Sequence, residues 1–153
     1  MSRAIRPAGA LLAVLVAVAA GGCGSSHKPP SPEQQITQVL HSYLRAQTTG
    51  DGQTACSLLT NAAQRQLVTL VLQAGKGLIT TRPSCQDAVG LVRAVAGTQL
   101  LGALSNARIA RVKVDGDNAT AQILDGAAFG QQQVSLQRSG SSWAIAGVPG
   151  LTP

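Results

Sequence analysis

The residues that could carry out chemistry are few in this chain of 153 residues, which contains six acidic residues, two histidines and one tyrosine. Their order and spacing give neither a Ser/His/Asp arrangement nor an HExxH metal motif. The glycines form neither a phosphate-cradling loop nor a dinucleotide-binding fingerprint. The sequence therefore predicts a protein without a catalytic centre, a bound metal or another cofactor.

Three cysteines are the remaining reactive candidates, and Cys56 and Cys85 are left as a pair once Cys23 is set apart. They lack the CxxC spacing of a zinc site, and neither His27 nor His41 is near them in sequence. In an oxidising compartment an even pair of this kind predicts a disulfide. Buried free thiols and a catalytic thiol are the alternatives.

The N-terminus has the layout of a secretory signal. A basic start is followed by an apolar run over residues 8–20 and by two glycines before Cys23. The run is shorter than the roughly 17 to 25 residues that a transmembrane helix needs. We therefore expect export, with residues 1–22 as the signal peptide.

The segment VAAGGC, which ends at Cys23, resembles the lipobox of bacterial lipoproteins. Ala20 stands where that family prefers leucine, and an ordinary cleaved signal peptide is the alternative. The resemblance implies that a lipid on Cys23 anchors the protein to the outer face of the cytoplasmic membrane. The following residues are rich in Gly, Ser and Pro, so we assign 23–31 to a flexible tether and 32–150 to one folded domain.

Helix signals dominate the first half of that domain. Ser31, Pro32 and Gln34 predict a capped helix start, and apolar residues at three- and four-residue spacing follow as far as Gly50. Shorter helices are expected from Thr54 to Leu59, between Thr60 and Gly75, after the cap residue Ser84, and before Asn106.

From Ala107 the apolar pattern changes to a period of two, which predicts strands. In the first strand Ala110, Val112 and Val114 are expected on one face, opposite a polar face with Arg111, Lys113 and Ile109. A turn at 115–118 leads to a second strand, Val134 and Leu136 mark a third, and Trp143 and Ile145 a fourth. Together these segments predict an α+β domain with N-terminal helices packed on a curved antiparallel sheet of about four strands.

The segments VLHSYLRAQTTGDGQTACSLLT, SCQDAV, DGDNAT and SGSSWAI occur in this order. Together they resemble small secreted NTF2-like proteins of actinobacteria, a cystatin-like or SnoaL-like fold. The resemblance implies a cone-shaped cavity between the long helix and the sheet. Isomerases, hydratases and plain binding modules all use such a cavity, so this fold does not determine an activity.

Three functions remain open. We favour a non-catalytic envelope module that binds a small apolar ligand or an envelope protein. Its cavity candidates are Val39, Tyr43, Val112, Ile123 and Trp143, although each of them also fits a simple role in the core. The oligomeric state is left open.

The second function uses the formal net charge of +6. Arg108, Arg111, Lys113 and Arg138 form a candidate basic face for anionic lipid or wall polymer, with a solvated sheet face as the simpler interpretation. Nucleic acid is excluded as a partner because export and the lack of aromatic stacking residues both argue against it.

The third function is an isomerase-like or hydratase-like enzyme with Asp125 or Tyr43 in the cavity. Gly126 next to Asp125 favours a turn role for that carboxylate, and a tyrosine on the buried stripe of a helix favours a core role.

Overall fold

A computed structural model describes residues 29–76, 78–124 and 130–147 of the chain. The predictions for the signal peptide, Cys23, the tether up to residue 28 and Asp125 lie outside these ranges. Five helices precede four strands in the described residues, which confirms the α+β class: α1 (Pro32–Thr49), α2 (Gly52–Ser57), α3 (Asn61–Ala74), α4 (Cys85–Val95), α5 (Thr98–Ser105), β1 (Arg108–Asp115), β2 (Asn118–Leu124), β3 (Gln131–Ser139) and β4 (Ser142–Ile145).

Helix α1 begins and ends where its sequence signals place it. The Ser31 hydroxyl accepts the Gln34 backbone N–H at 3.3 Å, and the Gln34 side chain accepts the Ser31 N–H at 2.9 Å. These two bonds satisfy backbone donors that would otherwise lack a partner in the first turn. Gly50 ends the helix with a φ of 76°, a left-handed conformation that suits glycine.

Helix α2 begins at Gly52, two residues before the predicted start at Thr54. The reason is a cap that the sequence analysis did not use, since the Asp51 carboxylate accepts the Thr54 backbone N–H at 3.0 Å. Gly52 also allows α2 to approach α4 closely, because a Cβ at this position would lie 2.7 Å from the Gln86 carbonyl oxygen.

Cys56 at the end of α2 and Cys85 at the start of α4 form the expected disulfide, with their Cα atoms 6.1 Å apart. Helix α4 starts with a second capping box, in which Ser84 and Asp87 exchange hydrogen bonds. The disulfide therefore joins the capped start of α4 to the end of α2, just before the connection to α3.

The four strands form one antiparallel sheet in the order β1-β2-β3-β4, as the meander pattern predicts. Its buried face is built by cross-strand partners such as Ala121 with Val134 and Leu136 with Ile145. Helix α1 packs against the two outer strands, β1 and β4. Backbone bonds of Ile145 to Leu58 and Thr60 join β4 to the α2–α3 connection.

The predicted alternation of buried and exposed faces along β1 was wrong in the first half of the strand, at Ile109 and Ala110. The register slips between Ala110 and Lys113, and Arg111 in this bulge has a φ of 48°. One extra residue reverses the faces, so Ile109 lies opposite Ile123 on the buried side while Ala110 lies opposite Gln122. Ile109 therefore belongs with the core and not with the polar face on which it was expected.

Within the described part of the chain, no single helix has the length and apolar character needed to cross a bilayer. Helices α4 and α5 pass that test of length and composition only as a pair, and they are bent by 114° relative to each other.

Replacing both cysteines, as Cys56→Ser with Cys85→Ser, is expected to lower the free energy of unfolding by about 3 to 4 kcal/mol. The disulfide spans 29 residues, and opening it returns conformational entropy to the unfolded chain. Urea denaturation of the two proteins measures the difference, and chemical reduction of the wild-type chain is the control that should reproduce it. A loss below about 1 kcal/mol would contradict this role of the crosslink.

Candidate functional site

The five predicted cavity residues belong to one hydrophobic cluster. Tyr43, Ile123 and Trp143 are buried inside it, whereas Val39 and Val112 are only partly buried and pack against its edge. The structure thus brings the five together but divides them into core members and edge members. Only the edge members retain surface that a ligand can contact.

The apolar core is incompletely covered along β1. On β2, β3 and β4 the inward apolar residues, such as Ala121, Val134 and Ile145, are buried. On β1 the corresponding residues Ile109, Val112 and Val114 each keep part of their surface exposed. The open side of the domain is therefore the edge formed by β1.

Helix α5 also carries partly buried apolar side chains, and one of them, Leu104, packs against the same core cluster as Ile109 and Val112. None of its residues is fully buried, although its sequence TQLLGALS is mostly apolar, and it packs on α1 just before the chain enters β1. Its leucines are each only partly buried. We use the name α5–β1 surface for five partly buried apolar side chains of α1, α5 and β1: Val39, Leu101, Leu104, Ile109 and Val112.

A buried polar pair lies on α1 within the aliphatic core. The Gln47 amide donates a hydrogen bond to the Tyr43 hydroxyl oxygen at 2.9 Å, and both side chains are buried. Burial raises the pKa of Tyr43 to about 12, an effect that the hydrogen bond from Gln47 only partly offsets. At neutral pH the hydroxyl is protonated, which makes Tyr43 a poor base and a hydrogen-bonding group.

The four residues of the predicted basic face do not lie on one face of the sheet. Arg108, Arg111 and Lys113 are exposed along β1, a strand that pairs with a neighbour on one side only. Arg138 instead lies on the buried side of β3, where its guanidinium stacks 5.5 Å from the centre of the Trp143 ring. Its expected place beside the β1 cations was therefore wrong, because β3 alternation puts it on the same face as Leu136.

The three β1 cations have a structural explanation. A free strand edge presents unpaired backbone groups to other sheets, and exposed charges on such an edge oppose that pairing. The bulge at Arg111 adds to the effect because it bends the edge.

Two nitrogens near this stack have no hydrogen-bond partner: the indole Nε1 of Trp143 and the Nε of Arg138. Both atoms are buried, and the two side chains meet in the cation–π contact. Sequence reasoning missed this pair, although the antiparallel β3–β4 turn places Arg138 directly opposite Trp143.

The acidic residues of the described ranges lie at helix starts and in a turn. The carboxylates of Glu33, Asp51 and Asp87 are near helix N-termini, where hydrogen bonds from backbone and hydroxyl groups lower the pKa of each. Asp115 and Asp117 flank the β1–β2 turn. Among the described residues no three His, Cys, Asp or Glu side chains are grouped so that they could hold a metal ion.

The surface of the domain also has two concavities whose lining residues are mostly polar. One, of about 690 Å³, follows the exposed flank of α1, and its lining residues, which include His41 and Arg45, all belong to that single helix. The other, of about 220 Å³, lies beside the disulfide and is lined by Arg65 of α3, Arg82 of the α3–α4 connection and Cys85, together with Asn61, Gln64 and Val68. Neither arginine belongs to a sequence motif, although Arg82 is only three residues before Cys85.

Comparisons of the chain with protein-family models, with curated proteins and with solved structures give no match in any of the three. The α+β class rests on the structure itself, and the NTF2-like resemblance rests on the sequence segments that carry it.

Ionisation of Tyr43 provides a test of its burial. In the folded protein we expect its phenolate absorbance to rise near pH 12, against a value near 10.0 for the unperturbed group, which denaturant should restore. Because the folded-state pKa is raised, the stability that burial of the neutral phenol contributes is present below pH 10 and declines between 10 and 12. The chain has one tyrosine, so the spectrum reports this residue alone. Equal midpoints with and without denaturant would show that the hydroxyl is in water.

Proposed function

We propose that this chain is a lipid-anchored, non-catalytic module of the cell envelope that binds a small apolar ligand at the α5–β1 surface. The observation that carries the proposal is the partial exposure of apolar side chains on α5 and β1, while the inward apolar residues of the other strands are buried. Uncovered apolar surface next to a core is typical of binding sites.

The compartment part of the proposal rests on the N-terminal sequence. The apolar run before Cys23 and the tether composition after it suit a protein whose domain is held close to a membrane. A disulfide between Cys56 and Cys85 is consistent with an oxidising space outside the cytoplasm.

The non-catalytic part is supported by the chemistry of the buried groups. The Tyr43 hydroxyl is paired with a neutral amide and holds its proton far above neutral pH. The described carboxylates with lowered pKa values stabilise helix starts, so their oxygens are already occupied by backbone or hydroxyl donors.

For the shape of the site we propose the NTF2-like cone, in which the cavity lies between the long helix and the sheet. In that arrangement a ligand would enter beside α1, where Val39 and Val112 lie at the edge of the core. An envelope protein that inserts an apolar side chain at the same place is the other occupant of this surface that we consider.

Binding of the neutral apolar dye Nile red tests the site. We expect the Leu101→Ser and Val112→Thr substitutions together to weaken dye binding about tenfold, since each removes apolar contact area. Fluorescence titration of the purified chain measures the dissociation constants. Leu78→Ser is the matched control, because Leu78 is 89% exposed and is outside the α5–β1 surface.

The proposal fails if the double variant binds the dye as tightly as the wild-type chain, or if Leu78→Ser weakens binding equally. Circular dichroism of each variant separates loss of the site from loss of the fold, since both substituted side chains are only partly buried.

Intact mass spectrometry of the protein from native membranes tests the anchor. We expect a mass equal to residues 23–153 plus acyl groups, less the two hydrogens lost to the disulfide. The Cys23→Ser variant is the control and should leave the membrane fraction. A full-length or unacylated mass would contradict the lipid anchor and would leave the dye-binding site to be judged separately.

A further inference from the structure

We propose that the concavity beside the disulfide is a binding site for a phosphate group, held mainly by Arg65 and Arg82. This inference is independent of the α5–β1 surface, because the two sites share no residue. The ligand class is a phosphate monoester or diester, and its phosphate oxygens are what the site recognises.

Two arginines from different elements line this one concavity. Arg65 belongs to α3, and Arg82 lies in the connection to α4, three residues before Cys85. Neither guanidinium has a hydrogen-bond or ion-pair partner among the described residues, and both side chains are exposed. A guanidinium group can bind phosphate oxygens in a bidentate manner, so two arginines that line one concavity offer two such donors.

The other lining groups favour an anion as well. Asn61 brings a side-chain amide, whereas the Gln64 amide nitrogen already donates to the Cys56 and Leu59 carbonyl oxygens. None of the described lining residues is acidic. Asn61 is also the first residue of α3, a helix of 14 residues, so the positive end of that helix adds to the field of the two arginines.

The volume of the concavity limits how much of an anionic ligand it can enclose. About 220 Å³ is below the roughly 300 to 1,000 Å³ of sites that enclose drug-sized ligands. A phosphate group with a short attachment fits this volume, whereas a bulky polymer unit would have to extend out into solvent. The site therefore recognises the charged group and leaves the rest of the ligand exposed.

The disulfide restrains the backbone around the concavity. The bond from Cys56 to Cys85 fixes the start of α4 and the segment that carries Arg82. The Gln64 amide nitrogen donates to the Cys56 carbonyl oxygen at 2.8 Å, which ties the first turn of α3 to the same crosslink. Because the backbone is restrained, binding of an anion has to order only the two arginine side chains and not the segments that carry them.

The test is a titration of the mature chain with inorganic phosphate at constant ionic strength, followed by NMR of the arginine Nε–H groups and the Asn61 amide. We expect saturable shifts confined to the concavity. Arg65→Gln and Arg82→Gln should each weaken binding about fivefold to tenfold, with the lower figure favoured by the exposure of both side chains. Lys76→Gln, which removes one exposed positive charge outside the concavity, is the matched control and should change the affinity less than twofold.

Shifts that do not saturate, or an equal effect of Lys76→Gln, would overturn the proposal in favour of diffuse charge attraction. Acetate that matches phosphate in affinity would overturn the assignment to phosphate. If the site binds phosphate, competition by vesicles that contain phosphatidylglycerol identifies a lipid headgroup as the source, and its absence identifies a free phosphate ester. The Leu101→Ser and Val112→Thr variant should bind phosphate normally, so failure of one proposal is distinguishable from failure of the other.

Discussion

Burial of one stripe of α1 is the interaction on which the rest of the domain depends. Ile36, Leu40, Tyr43 and Leu44 are all buried, and α1 contacts helices on one side and the outer strands β1 and β4 on the other. The chain is only 2% aromatic, so this stripe and the aliphatic sheet face supply most of the core. A core built from small aliphatic side chains is thin, and its coverage fails first at the periphery.

That thinness explains where the two candidate sites occur. At β1 the sheet ends, none of the other described strands covers its edge, and the short helix α5 leaves apolar side chains partly in solvent. Beside the disulfide, which joins α2 to the start of α4, a concavity remains between α3 and the start of α4. Apolar and anionic partners are thus suited to different sides of one small scaffold.

Most elements of the fold were predictable because their signals are local. The capping boxes at Ser31 and Ser84, the stop at Gly50 and the turn after Asp115 all act within a few residues, and the structure contains each of them. The start of α2 was misplaced because the sequence prediction began the helix at Thr54 and did not treat Asp51 as a cap. The face of Ile109 was misplaced because a bulge depends on pairing with β2, which single-strand periodicity does not contain.

The sites were harder to predict than the fold because they depend on what the tertiary structure leaves uncovered or unpaired. Arg138 was assigned to a basic face from its residue type, but the strand register places it over Trp143. Conversely, Arg65 and Arg82 carried no sequence motif, and their segments come together through the packing of α3 on α4 and the nearby Cys56–Cys85 bond. The acidic residues complete this pattern. Because three of the five in the described ranges serve helix starts and the other two flank a turn, the arginines beside the disulfide keep their charge available for a ligand.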